Sequence, residues 1–249
     1  MLVMKQKGFS LIELAIVLAV LALLLGGLLV PLTMQIEQQR IRETQKMLED
    51  AKEAIIGFAI ANGRLPCPAS ISSNGQESFD TAAGGSAANG KCSNFFNGFL
   101  PAVTLGISPV DANGYAVDAW GLTQNRIRYA VTTANNNAFT TTGGMAATTM
   151  SVLLPDLRVC VTATGTTAAN CGTATSLANN AIAVVYSLGK NAATGGAGLD
   201  EAANLNGDAV FISHTPAAST AANGEFDDLV TWLSPSILFN RMVAAEKLP

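Results

Sequence analysis

From Leu14 to Leu32 the chain runs through leucine, valine, isoleucine and alanine without a formal charge, with Gly26-Gly27 near the far end. A helix over this run comes close to the roughly 20 residues that cross a bilayer core. Beyond Thr33 the apolar positions thin to a stripe. Met34, Ile41, Leu48 and Ile55 recur at every seventh position, and Ala51 and Phe58 each follow three residues after the last two. Gln35, Glu37, Arg40, Lys46 and Glu53 are among the residues on the other faces, so the same helix is expected to continue as an amphipathic one with a single buried face. Glu37 and Thr44 occupy positions where a coiled coil needs a second apolar residue, so packing on the chain's own sheet is the better expectation. Pro31 is expected to kink the helix, and Asn62-Gly63 to end it with a left-handed cap.

Leu65-Pro66-Cys67-Pro68 then forces an extended, irregular exit. Two stretches rich in Ser, Thr, Asn, Gly and Ala, 70–93 and 132–150, read as loops. Short apolar runs at 126–131, 157–161, 181–187, 209–213 and 229–233 read as strands separated by turns. No helical pattern separates them, which favours an antiparallel sheet. Ser234-Pro235 opens a last short helix carrying Ile237, Leu238, Phe239, Met242 and Val243. The expected class is α+β, with a long N-terminal helix packed on an antiparallel sheet that bears long loops.

The charges at the N-terminus change this picture. Lys5 and Lys7 precede the apolar run, so the N-terminus is expected to stay cytoplasmic and the remainder to cross the membrane. The run is longer than the core of a cleavable secretory signal, and no A-x-A-like site closes it. Glu13 lies at the start of the helix. A carboxylate in a spanning segment costs about 2.5 to 3.5 kcal/mol, so it calls for a cationic partner. Cutting after Gly8 would supply one, the α-amine of Phe9. Ala15, Ala19, Ala22 and Gly26 form a stripe of small residues that would let neighbouring helices approach closely.

Gly8-Phe9-Ser10-Leu11-Ile12-Glu13 followed by a long apolar helix closely resembles the processing signal of type IV pilins and of type II secretion pseudopilins. The resemblance implies cleavage between Gly8 and Phe9 by a prepilin peptidase, and methylation of the new Phe9 amine. It also implies that Glu13 pairs with the N-terminus of a neighbouring subunit. The implied partners are the peptidase, other pilin or pseudopilin subunits and an inner-membrane assembly platform. The expected divisions are a leader at 1–8, a membrane or filament-core helix at 9–32, its amphipathic continuation at 33–62, and a periplasmic or extracellular β-rich domain at 63–249. Asp118-Ala119-Trp120-Gly121, with Arg128-Tyr129 after it, is similar to a segment that many pseudopilins and minor pilins carry where their sheet begins.

Composition fits an exported domain, because only 13% of residues are charged. Removing Lys5 and Lys7 takes the side-chain balance from −4 to −6, which argues against phosphate-backbone binding, and no nucleic-acid partner is expected. Cys67, Cys92, Cys160 and Cys171 all lie beyond the apolar run, where an oxidising compartment permits two disulfides in three connectivities. Cys67 with Cys92 and Cys160 with Cys171 are favoured, since each pair closes a short loop within one region.

Little in the sequence points to catalysis, and no enzyme activity is expected. The sole histidine, His214, has no G-x-S-x-G nucleophile elbow to serve. Gly85 to Cys92 imitates a phosphate-binding loop but ends in Cys where a magnesium-binding hydroxyl belongs. Asp200, Asn204, Asn206 and Asp208, with Glu201 among them, offer oxygen ligands that could hold calcium. A solvated acidic turn is the simpler reading, and no cofactor is expected. The chain is thus expected to act by assembly, as a minor subunit of a type IV pilus or related filament. A type II secretion pseudopilin is the nearest rival, and a pilus-borne adhesin or DNA-uptake subunit a more distant one.

Overall fold

The structure, a computed structural model, describes residues 10–248 apart from 195 and 197, and within its first helix the side chains of 24–32 are not described. Lys5, Lys7, Gly8 and Phe9 lie outside the described residues, and the surroundings of Gly26 and Pro31 are likewise not described.

Helix α1 runs over Leu11–Asn62. It ends at Gly63, whose φ of +66° accepts the left-handed conformation and whose N–H bonds back to the Ala59 carbonyl at 2.8 Å. The chain divides into two compact units, Met1–Arg42 and Glu43–Pro249. In the first, every described side chain from Leu11 to Leu23 is exposed. Among the described residues no helix is long and apolar enough to cross a membrane; the expected span at 14–32 runs into the side chains that are not described.

In the second unit, α1 buries Thr44, Leu48, Ala51, Ile55, Ile56 and Ala59. The stripe expected from sequence therefore holds at Leu48, Ala51 and Ile55, while Met34 is 67% exposed and Phe58 is half-buried. Thr44 is buried because it has a polar partner. Its Oγ1 accepts the Ala119 N–H at 3.1 Å.

Among the described residues, seven strands form two sheets instead of the single antiparallel one expected. The first has the order β1 (Gly98–Phe99), β2 (Arg128–Val131), β5 (Ala183–Ser187), β7 (Leu229–Leu233), all antiparallel. The second has the order β4 (Ser176–Ala181), β3 (Leu157–Cys160), β6 (Val210–Ile212). There β3 pairs antiparallel with β4 but parallel with β6. A parallel pair needs a crossover, and part of it is a helix absent from the expectation, α2 (Leu199–Leu205). The closing helix α3 spans Pro235–Ala244 with Pro235 in its first turn, and buries Leu238 and Met242. Ser234 takes the N-cap position, but its hydroxyl meets Ser236 Oγ and no backbone N–H.

The side chains of β5 explain the layering. Ala183 and Val185 belong to a core with Leu48, Ala51, Ile55 and Ala59 of α1, while Val184 and Tyr186 belong to another with Leu157, Val159 and Phe211 of the second sheet. Successive strand residues point to opposite faces. Both faces of β5 are covered, which is why its sequence is apolar from Ala183 through Tyr186 where a half-exposed strand would alternate.

Candidate functional site

At the start of α1, Ser10 and Glu13 bond reciprocally. Glu13 N–H donates to Ser10 Oγ at 3.2 Å, and Glu13 Oε2 accepts from the Ser10 N–H at 3.2 Å and its hydroxyl at 3.3 Å. This is a capping box, which satisfies N–H groups that a helix start leaves without intrahelical partners. Reading Glu13 for its charge alone misses this local role, although Ser10 three residues earlier is the signal for it. Leu11 is 88% exposed and Ile12 71%. Around the carboxylate there is thus an open apolar surface, suited to lipid or to other helices. Gly8 and Phe9 lie outside the described residues.

Asp118 is the polar centre of the Asp118-Ala119-Trp120-Gly121 turn. It is buried and accepts from Trp120 N at 2.9 Å, Asn125 Nδ2 at 3.0 Å and the Ser187 hydroxyl at 2.5 Å. Asn125 Nδ2 also donates to the Gly189 carbonyl at 2.6 Å. Burial pushes the Asp118 carboxyl above its usual range, and the Ser187, Asn125, Trp120 and Gly121 donors offset only part of that. With Thr44 holding Ala119, the turn joins α1 to the end of β5. Its function is structural positioning.

Disulfides join Cys67 to Cys92 and Cys160 to Cys171. Beside the first, Arg64 pairs with both Glu77 oxygens at 2.7 Å, and Glu77 Oε2 accepts the Cys67 N–H at 3.2 Å. The loop that imitates a phosphate cradle uses its amides on itself. Gly85 N bonds Asp80 O at 2.6 Å, Gly90 N bonds Ser86 O at 2.8 Å, and Asn89 Oδ1 accepts Ser86 N at 3.0 Å. Those donors are thereby spent, and Cys92 is in a disulfide.

His214 stacks on Phe226 with ring centroids 3.9 Å apart, and its nitrogens face Thr215 O at 2.7 Å and Asp200 Oδ2 at 3.2 Å. Neither nitrogen is left for a hydroxyl nucleophile. The four oxygen donors expected from sequence each hold partners within the fold. Asp200 binds Ala163 N at 2.6 Å and Asn223 Nδ2 at 2.9 Å, while Asn204 holds both N–H and C=O of Ile212. Asn206 and Asp208 bond each other at 2.8 Å.

Residues 3–29 match the family described as a prokaryotic N-terminal methylation motif, the leader signal of type IV pilins and pseudopilins. No curated protein and no solved structure matches the chain. The matched signal supports, in general terms, a subunit of the type IV pilin-like and pseudopilin kind. It implies processing by a prepilin peptidase and assembly with other pilins.

Proposed function

We propose that this chain is a minor structural subunit of a type IV pilus or related filament. Residues 1–8 are its leader, cut between Gly8 and Phe9, and Phe9 is then N-methylated. Residues 9–32 anchor it in the inner membrane before assembly and enter the filament core afterwards. Residues 33–62 continue the helix, and the domain at 63–249 is periplasmic until it is displayed. The observation that carries this reading is the methylation-motif match at residues 3–29. Two further features support it. The apolar residues from Leu11 to Leu23 are bare in the lone chain, and Glu13 stands among them without a cationic partner among the described residues. The disulfide-bonded domain carries long loops, a bulk that suits sparse display better than dense packing.

Glu13→Ala tests the reading in the native host. Membrane levels should stay normal, while the subunit should fall roughly tenfold in sheared filaments, because an unmatched neighbouring amine costs more than the 1.4 kcal/mol that a factor of ten represents. The wild-type protein should begin at methylated Phe9 by N-terminal sequencing and intact mass. Normal incorporation of the variant would sink the pairing role. Intact pili with failed exoprotein secretion in a deletion strain would assign the chain to the pseudopilins instead.

A further inference from the structure

Three carboxylates from two distant segments of the chain meet in the domain. Glu201 lies in the first turn of α2, and Asp227 and Asp228 just before β7; one oxygen from each falls within 4.8 Å of the others. Glu201 is 1% exposed and Asp228 4%. Part of their bonding capacity is used locally. Glu201 Oε1 accepts Asn191 Nδ2 at 2.7 Å and Asp227 N at 3.2 Å. Asp227 Oδ2 accepts the Lys190 and Asn191 N–H groups at 3.0 and 3.2 Å, and Asp228 Oδ2 accepts Asn204 Nδ2 at 2.7 Å.

Two oxygens remain. Glu201 Oε2 and Asp227 Oδ1 are buried and have no hydrogen-bond partner among the described residues. A buried carboxylate oxygen without a partner is costly, and three carboxylates this close repel one another. Burial pushes Asp227 up to about 6; Glu201 and Glu225 add to the rise, and the Asn191 and Lys190 N–H groups oppose it. Burial likewise lifts Asp228 well above its usual range despite the Asn204 amide, with Glu201 and Asp227 adding to it and Arg128 opposing.

We propose that Glu201, Asp227 and Asp228 bind one hard divalent cation, of which calcium is the probe ion. The donors are all oxygen, with no imidazole or thiolate, which excludes the preferences of zinc and copper. Oxygens that all lie within 4.8 Å of one another are close enough to share one ion at a calcium–oxygen distance of about 2.4 Å. The ion would take up the two idle oxygens and cancel the repulsion. Since α2 leads into β6 of the second sheet and β7 belongs to the first, it would also tie the two sheets together. Asn204, a ligand candidate on sequence, instead orients Asp228 from outside.

Calorimetric titration of calcium into the full chain, purified in detergent and stripped with EGTA, should find one ion per chain. Saturating calcium should raise Tm by about 5 °C. Glu201→Gln, which keeps the shape and the Asn191 contact, should weaken binding by roughly tenfold or more. Absence of binding in the wild type overturns the site, whether or not the variant folds. Unaltered affinity in a folded Glu201→Gln protein would place any bound calcium elsewhere.

Discussion

From Leu11 to Leu23 every described side chain is exposed, with Leu23 at 80%, whereas beyond Glu43 the residues Ile55, Val185 and Tyr186 are fully buried. Both regions are rich in aliphatic residues, so hydrophobicity alone does not separate them. What separates them is where the partner comes from. The domain covers its apolar residues with its own helix and sheets, while the first part of α1 leaves them bare, and under the proposed function lipid or neighbouring subunits would cover them. The polar groups follow the same division. In the domain, Asp118 and Thr44 sit in a buried network, and at the helix start Glu13 has only local bonds on an open surface.

The sharpest way to break this comparison is a pair of truncations. Ile55→Ala removes a fully buried side chain from the core between α1 and the first sheet, and should cost about 4 kcal/mol, lowering Tm by about 10 °C. Ile16→Ala, on an exposed position, should leave Tm within about 1 °C and instead lower the share of subunit recovered in filaments. Equal thermal losses from the two would mean that Ile16 is covered by its own chain.

The disulfides test the self-sufficiency of the domain. Cys67 and Cys92 are 25 residues apart, and Cys160 and Cys171 are 11 apart. On chain-entropy grounds, replacing both cysteines of the first pair with alanine should cost about 3.5 kcal/mol, and of the second about 2.8. Denaturant melts of the two double variants measure the order. A larger loss from the second pair would show that native contacts, and not loop closure, set the stabilisation.

How far the sequence revealed all this follows the same division. Ala183–Ser187 is legible as a strand because both of its faces are covered, and a continuous apolar run is the signature of that burial. Ser176–Ala181 is not legible: it is an edge strand whose residues are mostly exposed, with Asn179 and Asn180 in place of an alternating pattern. It pairs with β3 through register irregularities, which blur any period further. The parallel β3–β6 pair, and the meeting of Glu201 with Asp227 and Asp228, depend on a crossover that no local pattern encodes. At the N-terminus the reverse holds. The leader signal is local and fully written in residues 3–29, and so is the Ser10–Glu13 cap.

That cap supplies the smallest and most discriminating effect. Ser10→Ala deletes the hydroxyl that accepts the Glu13 N–H and donates to its carboxylate, but keeps the backbone bond from Ser10 N to Glu13 Oε2. At an exposed helix start this should cost about 0.5 to 1 kcal/mol. Amide exchange at Glu13 and Leu14 should quicken by about fivefold at most, with no resolvable change in the domain. Filaments should still contain the variant at near wild-type levels, because the carboxylate remains available to a neighbour. If Ser10→Ala instead depletes the subunit as strongly as Glu13→Ala, then Glu13 serves its own helix. The helix start would then be as self-contained as the domain, and the contrast between the two regions would rest on apolar exposure alone.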